Sequence, residues 1–329
     1  ALAAGLPQGV PATTVNKMCG SGMKAAMLAF DALALGQADV IVAGGMESMS
    51  NAPYLLPRMR AGARLGHAEA LDHMFLDGLE DAYQRGRLMG SFAEDCATAF
   101  RFTREAQDRY ALASLSRAQA AVAEGAFAAE IAPVAAPPRR GAAPQSAPGG
   151  AGTVLADDGP ASARPDRIPA LKPAFRSDGT VTAANASSIS DGAAALVLAA
   201  GSGIGGPVRA ILSGHAGHAQ APADFPTAPA PAVRKLLSRL GWRVEDVDLW
   251  EVNEAFAVVP MAFMALTGVP HDRINVHGGA CALGHPIGAS GARIVVTLLH
   301  ALERRGLRRG VAAICIGGGE GTALAIERP

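Results

Sequence analysis

"CGSGMKAAMLAFDALALGQADVIVAGG", residues 19–45, opens on a Gly-Ser-Gly turn, runs through an apolar stretch and closes on an unbroken hydrophobic run before two glycines. Met23, Ala26, Met27, Phe30 and Leu33 recur at helical spacing and most other faces are apolar too, which predicts a helix packed in an interior. Gly36 stops it, and "VIVAGG" follows as a buried strand, the pattern of a βαβ unit in a parallel sheet covered on both faces. Residues 288–319, "GASGARIVVTLLHALERRGLRRGVAAICIGGG", repeat that order: glycine-serine turn, helix closing on Arg304, Arg305 and Gly306, apolar strand, glycine run. Two copies of one unit imply an internal duplication, two similar α/β halves packed together.

Between the copies, "FTREAQDRYALASLSRAQAAVAEG" is a helix capped by Thr103 and stopped by Gly125. Pro133 to Pro169, rich in Ala, Pro, Gly and Arg, is irregular surface structure. "AANASSISDGAAALVLAA" is a turn, a short helix start and a buried strand that returns to the first half. The division is therefore 1–50 with 179–205 for the first half, 51–178 for an insertion that covers the site, and 206–329 for the second half.

Lys plus Arg and Asp plus Glu number 29 each, with no run of one sign, which argues against a nucleic-acid footprint or a basic membrane-binding face. No apolar stretch reaches the roughly 18 residues of a membrane span. Cys19, Cys96, Cys281 and Cys315 are too scattered for a metal site or a disulfide framework, and indicate reduced thiols in a cytosol-like compartment. His215 and His218 form an H-x-x-H pair in a glycine-rich loop with no companion ligands, so no metal is expected.

Cys19 directly precedes a helix start, where free amides and the helix dipole favour a thiolate. His285, held before Pro286 in "GGACALGHPIGASG", occupies the equivalent point of the second copy. A pseudo-twofold packing brings the two helix starts together, giving a nucleophile and its base. Cys315 ends the last strand at "CIGGG" and reads by itself as a core cysteine. Asn253, beside Glu254 and Phe256 in "EVNEAFA", either stitches two elements or holds a water.

"VNKMCGSGMKA", "GGMESMS", "GTVTAANASSISDGAAA", "NEAFA", "GGACALGHPIGASGAR" and "CIGGGEG", in that order over nearly the whole chain, resemble the thiolase family, most closely its acetyl-CoA acetyltransferases. The resemblance implies a thiolase-like α/β fold of two βαβαβαββ halves with a loop domain inserted in the first. It implies acylation of Cys19, activation of that thiol by His285, and an acid/base role for Cys315 in Claisen condensation of two acetyl-CoA to acetoacetyl-CoA. It further implies one oxyanion hole from His285 and a water on Asn253, and another from the amides of Cys19 and Gly317. By the same resemblance Ser213 contacts pantetheine, and Phe256 and Met89 border the acyl pocket.

Coenzyme A thioesters are then substrates, with no cofactor, and a cytoplasmic homodimer or tetramer in fatty acid metabolism is expected. Leu88, where many acetoacetyl-specific members have histidine, leaves open a 3-ketoacyl-CoA thiolase of broader chain length, and "AAGSGIGGP" is shorter than the family's basic helix between the halves. Family members carry a further βαβαβ stretch ahead of residue 1. These 329 residues alone are accordingly expected to be poorly soluble or inactive, and a non-catalytic acyl-CoA-binding or purely structural fragment is the remaining alternative. A monodisperse, active preparation overturns that expectation.

Overall fold

The computed structural model describes residues 1–135, 152–201 and 206–329. Helix α1 spans Ser21–Ala34 and leads into strand β1, Val40–Ser48. Helices α2, Met89–Phe100, and α3, Arg104–Ala123, belong to the inserted region. Strands β2, Asp191–Ala199, and β3, Ile211–Ala219, precede helix α4, Pro229–Leu240, strand β4, Leu249–Val252, and helix α5, Val258–Thr267. Helix α6, Ile287–Arg305, and strands β5, Arg309–Ile316, and β6, Glu320–Glu327, complete the chain.

Both copies of the helix-strand unit are present, and their helices form the centre of the molecule. α1 packs on β1 and on β6, while α6 packs on β1 and β2 on one side and on β4 and β5 on the other. The layer between the sheets is filled by Met23, Met27, Ile294, Leu298 and Leu302 against Ile314 and Leu324. Burying a side chain of this size fully stabilises by about 1.5–3 kcal/mol, so this seam contributes substantially to the cohesion between the halves.

Sheet topology departs from the parallel expectation. β1 pairs antiparallel with β2, Val40 opposite Ala199 and Ser48 opposite Asp191. The other sheet has the order β3-β6-β5-β4, in which only β4 and β5 run parallel, Leu249 opposite Gly310 and Val252 opposite Ala313. Nor is β1 covered on both faces: Ala43 is buried, whereas Val42 is 52% and Met46 80% exposed. An unbroken apolar run conceals the period-two alternation that separates one covered face from two.

Thr103 caps α3 as expected, its side chain accepting from Ala106 N–H at 3.2 Å, and Gly125 follows the helix at φ +66°. No helix starts in residues 183–190; a bridge between Ala186 and Phe256 occurs there instead. Within the irregular segment Pro133–Pro169, residues 136–151 lie outside the described residues, as do 202–205 of the "AAGSGIGGP" stretch. Among the described residues no helix is long and apolar enough to cross a membrane.

Candidate active site

Cys19 lies in a one-turn 3-10 helix, Met18–Gly20, directly before α1. Met18 is left-handed at φ +48°, a strained conformation for a residue with a side chain, and its neighbours hold it there. Asn16 Oδ1 accepts from Met18 N–H at 2.8 Å, Ser21 Oγ donates to Met18 O at 2.7 Å, and Lys17 N–H donates to Ser21 Oγ at 2.9 Å. The thiol is therefore presented by a turn locked from both sides.

α1 and α6 cross at their first turns through small residues. A Cβ on Gly22 would come within 2.7 Å of Ala292 N, and one on Gly291 within 2.5 Å of Met23 N. Cys19 stands three residues before Gly22 and His285 six before Gly291, so this crossing brings the two helix starts together as the duplication implied.

Cys315, next to the end of β5, is wholly buried; burial first, and the neighbouring Cys19 second, hold its thiol well above the ordinary value. Gly317 N–H and the N–H of Cys19 itself donate to Cys19 Sγ. Met89 Sδ lies 3.1 Å from where a Cβ on Gly317 would stand, and Met18 Cε 3.5 Å. Met89, Phe256 and Cys315 share one core cluster, with Phe256 edge-on to Phe175 at 5.9 Å.

His285 is 6% exposed. Its Nδ1 is 2.5 Å from Ser290 Oγ, whose own proton goes to Pro286 O at 2.9 Å. A hydroxyl has one proton to give, so Nδ1 carries the hydrogen that Ser290 accepts and Nε2 keeps its lone pair. Burial first, and the charge of Arg293 second, push the imidazole down to about 3, which keeps it neutral. Asn253 is 1% exposed and is fixed by its N–H to Ala313 O at 3.0 Å; its Nδ2 stands 3.5 Å from both ring nitrogens. Asn253 Oδ1 is buried with no protein partner.

One expectation needs correcting. The helix start does not make Cys19 a resting thiolate: burial pushes its pKa up to about 11, outweighing the two amides that pull it down. Alkylation of Cys19 by iodoacetamide should consequently rise about tenfold per pH unit from 7 to 10, following the thiolate fraction; a rate that levels off below pH 8 would contradict this. Ser213, expected along the pantetheine arm, stands away from the thiols. Cys315 and His218 both register against Gly321, and Ser213 lies five residues further along β3, about 16 Å at roughly 3.3 Å per residue.

Of the other expected residues, Cys19, Cys315 and Gly317 neighbour one another with Met89 beside Gly317, His285 and Asn253 form a pair at the start of α6, and Phe256 packs in the same core cluster as Met89 and Cys315. His215 and His218 stand on a strand rather than in a loop, and three positions apart they point to opposite faces.

A family model for the thiolase N-terminal domain matches residues 1–202, and one for the thiolase C-terminal domain matches 207–328. The chain belongs to the thiolase family. An acetyl-CoA acetyltransferase of Pseudomonas aeruginosa is 48% identical over 332 residues, covering 100% of this chain and 82% of the relative. A probable acetyl-CoA acetyltransferase of Dictyostelium discoideum is 47% identical, covering 100% of this chain and 78% of the relative. A thiolase from Ascaris suum, solved in complex with coenzyme A, superposes with TM-score 0.90 at 42% identity, covering 100% of this chain and 82% of that one. The acetyl-CoA acetyltransferase of Bacillus anthracis superposes with TM-score 0.91 at 40% identity and the same coverage.

Sequence reasoning missed Ser290, although its place one turn beyond His285 at a helix start was a usable signal. It also passed over Glu47 in "GGMESMS", which accepts from Gly288 N–H at 3.0 Å and ties β1 to the start of α6. Ser290→Ala in this thiolase should lower kcat about tenfold to a hundredfold with KM little changed, because the imidazole loses its fixed orientation. An unchanged kcat would remove Ser290 from the site.

Proposed function

We propose that this thiolase condenses two acetyl-CoA reversibly to acetoacetyl-CoA and coenzyme A through an acetyl-Cys19 intermediate. The observation that carries the reading is the pair of thiols, Cys19 and Cys315, beside the Gly317 amide, with a neutral imidazole whose Nε2 is free to accept a proton.

His285 Nε2 takes the Cys19 proton as sulfur attacks the first thioester. The amides of Cys19 and Gly317 stabilise the tetrahedral oxyanion; losing one such donor typically costs about 10²–10³ in rate. Coenzyme A leaves with the Cys315 proton, which leaves a thiolate there. Because burial holds the Cys315 pKa well above the ordinary thiol value, that thiolate is a strong base. It removes the α-proton of the second acetyl-CoA. The enolate, stabilised by His285 and a water on Asn253 Oδ1, attacks acetyl-Cys19, and the released Cys19 sulfur recovers its proton from His285. Every step is a proton or acyl transfer among these groups, so no cofactor is called for.

Cys315→Ala separates the half-reactions. Acetyl-Cys19 should still form and be seen by mass spectrometry, while condensation falls about 10²–10⁴-fold. Loss of both steps together, or of neither, would overturn the assignment. Met89, which stands beside Gly317, and Phe256 are assigned to the acyl end by resemblance, and kcat/KM for acetoacetyl-CoA compared with that for a longer 3-ketoacyl-CoA decides the chain length. On family resemblance we also place the protein in the cytoplasm as a dimer or tetramer of fatty acid metabolism, which fractionation and sedimentation test.

A further inference from the structure

A second polar cleft lies at the rim of the four-stranded sheet, and none of the acyl-transfer residues lines it. β3 is the edge strand there, between α1 and α4. The cleft, about 400 Å³, is within the size range of small-molecule sites.

Its charge is one-sided in a chain of zero formal net charge. Lys17, Lys24, Lys235 and Arg239 line it with His215 and His218, and Glu320 is the one acid among the lining groups. Glu320 is already held by Lys17, and Asp31, behind the wall, accepts from His215 Nε2 at 2.9 Å. Arg239 donates one N–H to His215 O at 3.0 Å, and Lys235 approaches Gly217 O at 3.4 Å, so both reach round the strand edge with donors to spare. Lys24 has no partner among the described residues.

An independent feature points into the same space. Thr322 is 3% exposed, lines the cleft, and its hydroxyl has no partner. A buried hydroxyl left unpaired is costly, and a ligand oxygen would relieve it. Opposite it in the register stands Gly217, where a Cβ would meet nothing closer than 3.9 Å, so the wall is open above the hydroxyl.

We propose that this cleft binds the phosphate group of a small phosphorylated molecule, with Lys24, Lys235 and Arg239 supplying the charge and Thr322 a donor. Several ammonium groups arranged around one centre suit a phosphate with oxygens on every side, whereas a carboxylate is best served by one planar guanidinium. The phosphate comes either from free diphosphate or from the nucleotide end of a substrate of the coenzyme A type.

The test is calorimetric titration of the whole chain with inorganic pyrophosphate and, separately, with adenosine 3′,5′-bisphosphate. We expect saturable binding of at least one probe, weakened about tenfold or more in Lys24→Gln/Lys235→Gln and in Thr322→Val, and unchanged in Lys172→Gln, an exposed lysine elsewhere. Tighter binding of the nucleotide supports the substrate source, and equal or weaker binding supports free diphosphate. Absence of saturable binding by both probes, binding indifferent to the cleft variants, or equal weakening by Lys172→Gln would overturn the proposal. Because the readout is binding, it stands or falls apart from the acyl-transfer chemistry.

Discussion

Cys19→Ala should lower kcat for acetoacetyl-CoA formation by about 10⁴–10⁶, the loss that follows when the nucleophile of a covalent route is removed. Substrate affinity should barely change, because Met89, Phe256 and the Gly317 amide remain in place. Alanine also removes the group that burial holds protonated near pKa 11, leaving nothing for His285 to activate. Steady-state kinetics with acetyl-CoA, and mass spectrometry for an acetylated chain, measure both parts. A variant retaining a tenth of the activity would require another acyl carrier, and the chemistry assigned to the two thiols would fail with it.

The second large effect is on stability. Glu254 is wholly buried beside the site, and its carboxylate accepts from Asn275 Nδ2 at 2.7 Å, Ser114 Oγ at 2.7 Å, Tyr110 Oη at 3.0 Å and Cys281 N–H at 3.0 Å. It thereby ties α3 of the insertion to the segments after β4 and before α6. Glu254→Ala leaves four donors facing a void and should cost about 3–5 kcal/mol, read as a lower urea midpoint. Glu254→Gln preserves the volume but turns donors toward donors, so it should also destabilise. If the glutamine variant melted like the wild type, packing rather than hydrogen bonding would be the cause.

Much of this was legible from residue order. Helical spacing and glycine stops located α1 and α6, and the repeat placed Cys19 and His285 at matching points, because those signals are local. What failed depended on distant parts of the chain. β1 reads as a doubly covered parallel strand because its exposed Val42 and Met46 are as apolar as its buried Ala43. The ionisation of Cys19 is set by how much protein closes around the sulfur, which no neighbour in sequence reports.

The contact of Gly22 with Ala292, and of Gly291 with Met23, has a bearing on how such an enzyme can change. Main chain meets main chain there, so no flexible side chain can absorb an added methyl group. Any such addition would pry one lobe from the other, and a displacement of about 1 Å between reacting groups can cost a hundredfold in turnover. Chain-length preference is free to drift at the pocket walls, whereas the hub that aligns the reagents tolerates almost no variation in bulk.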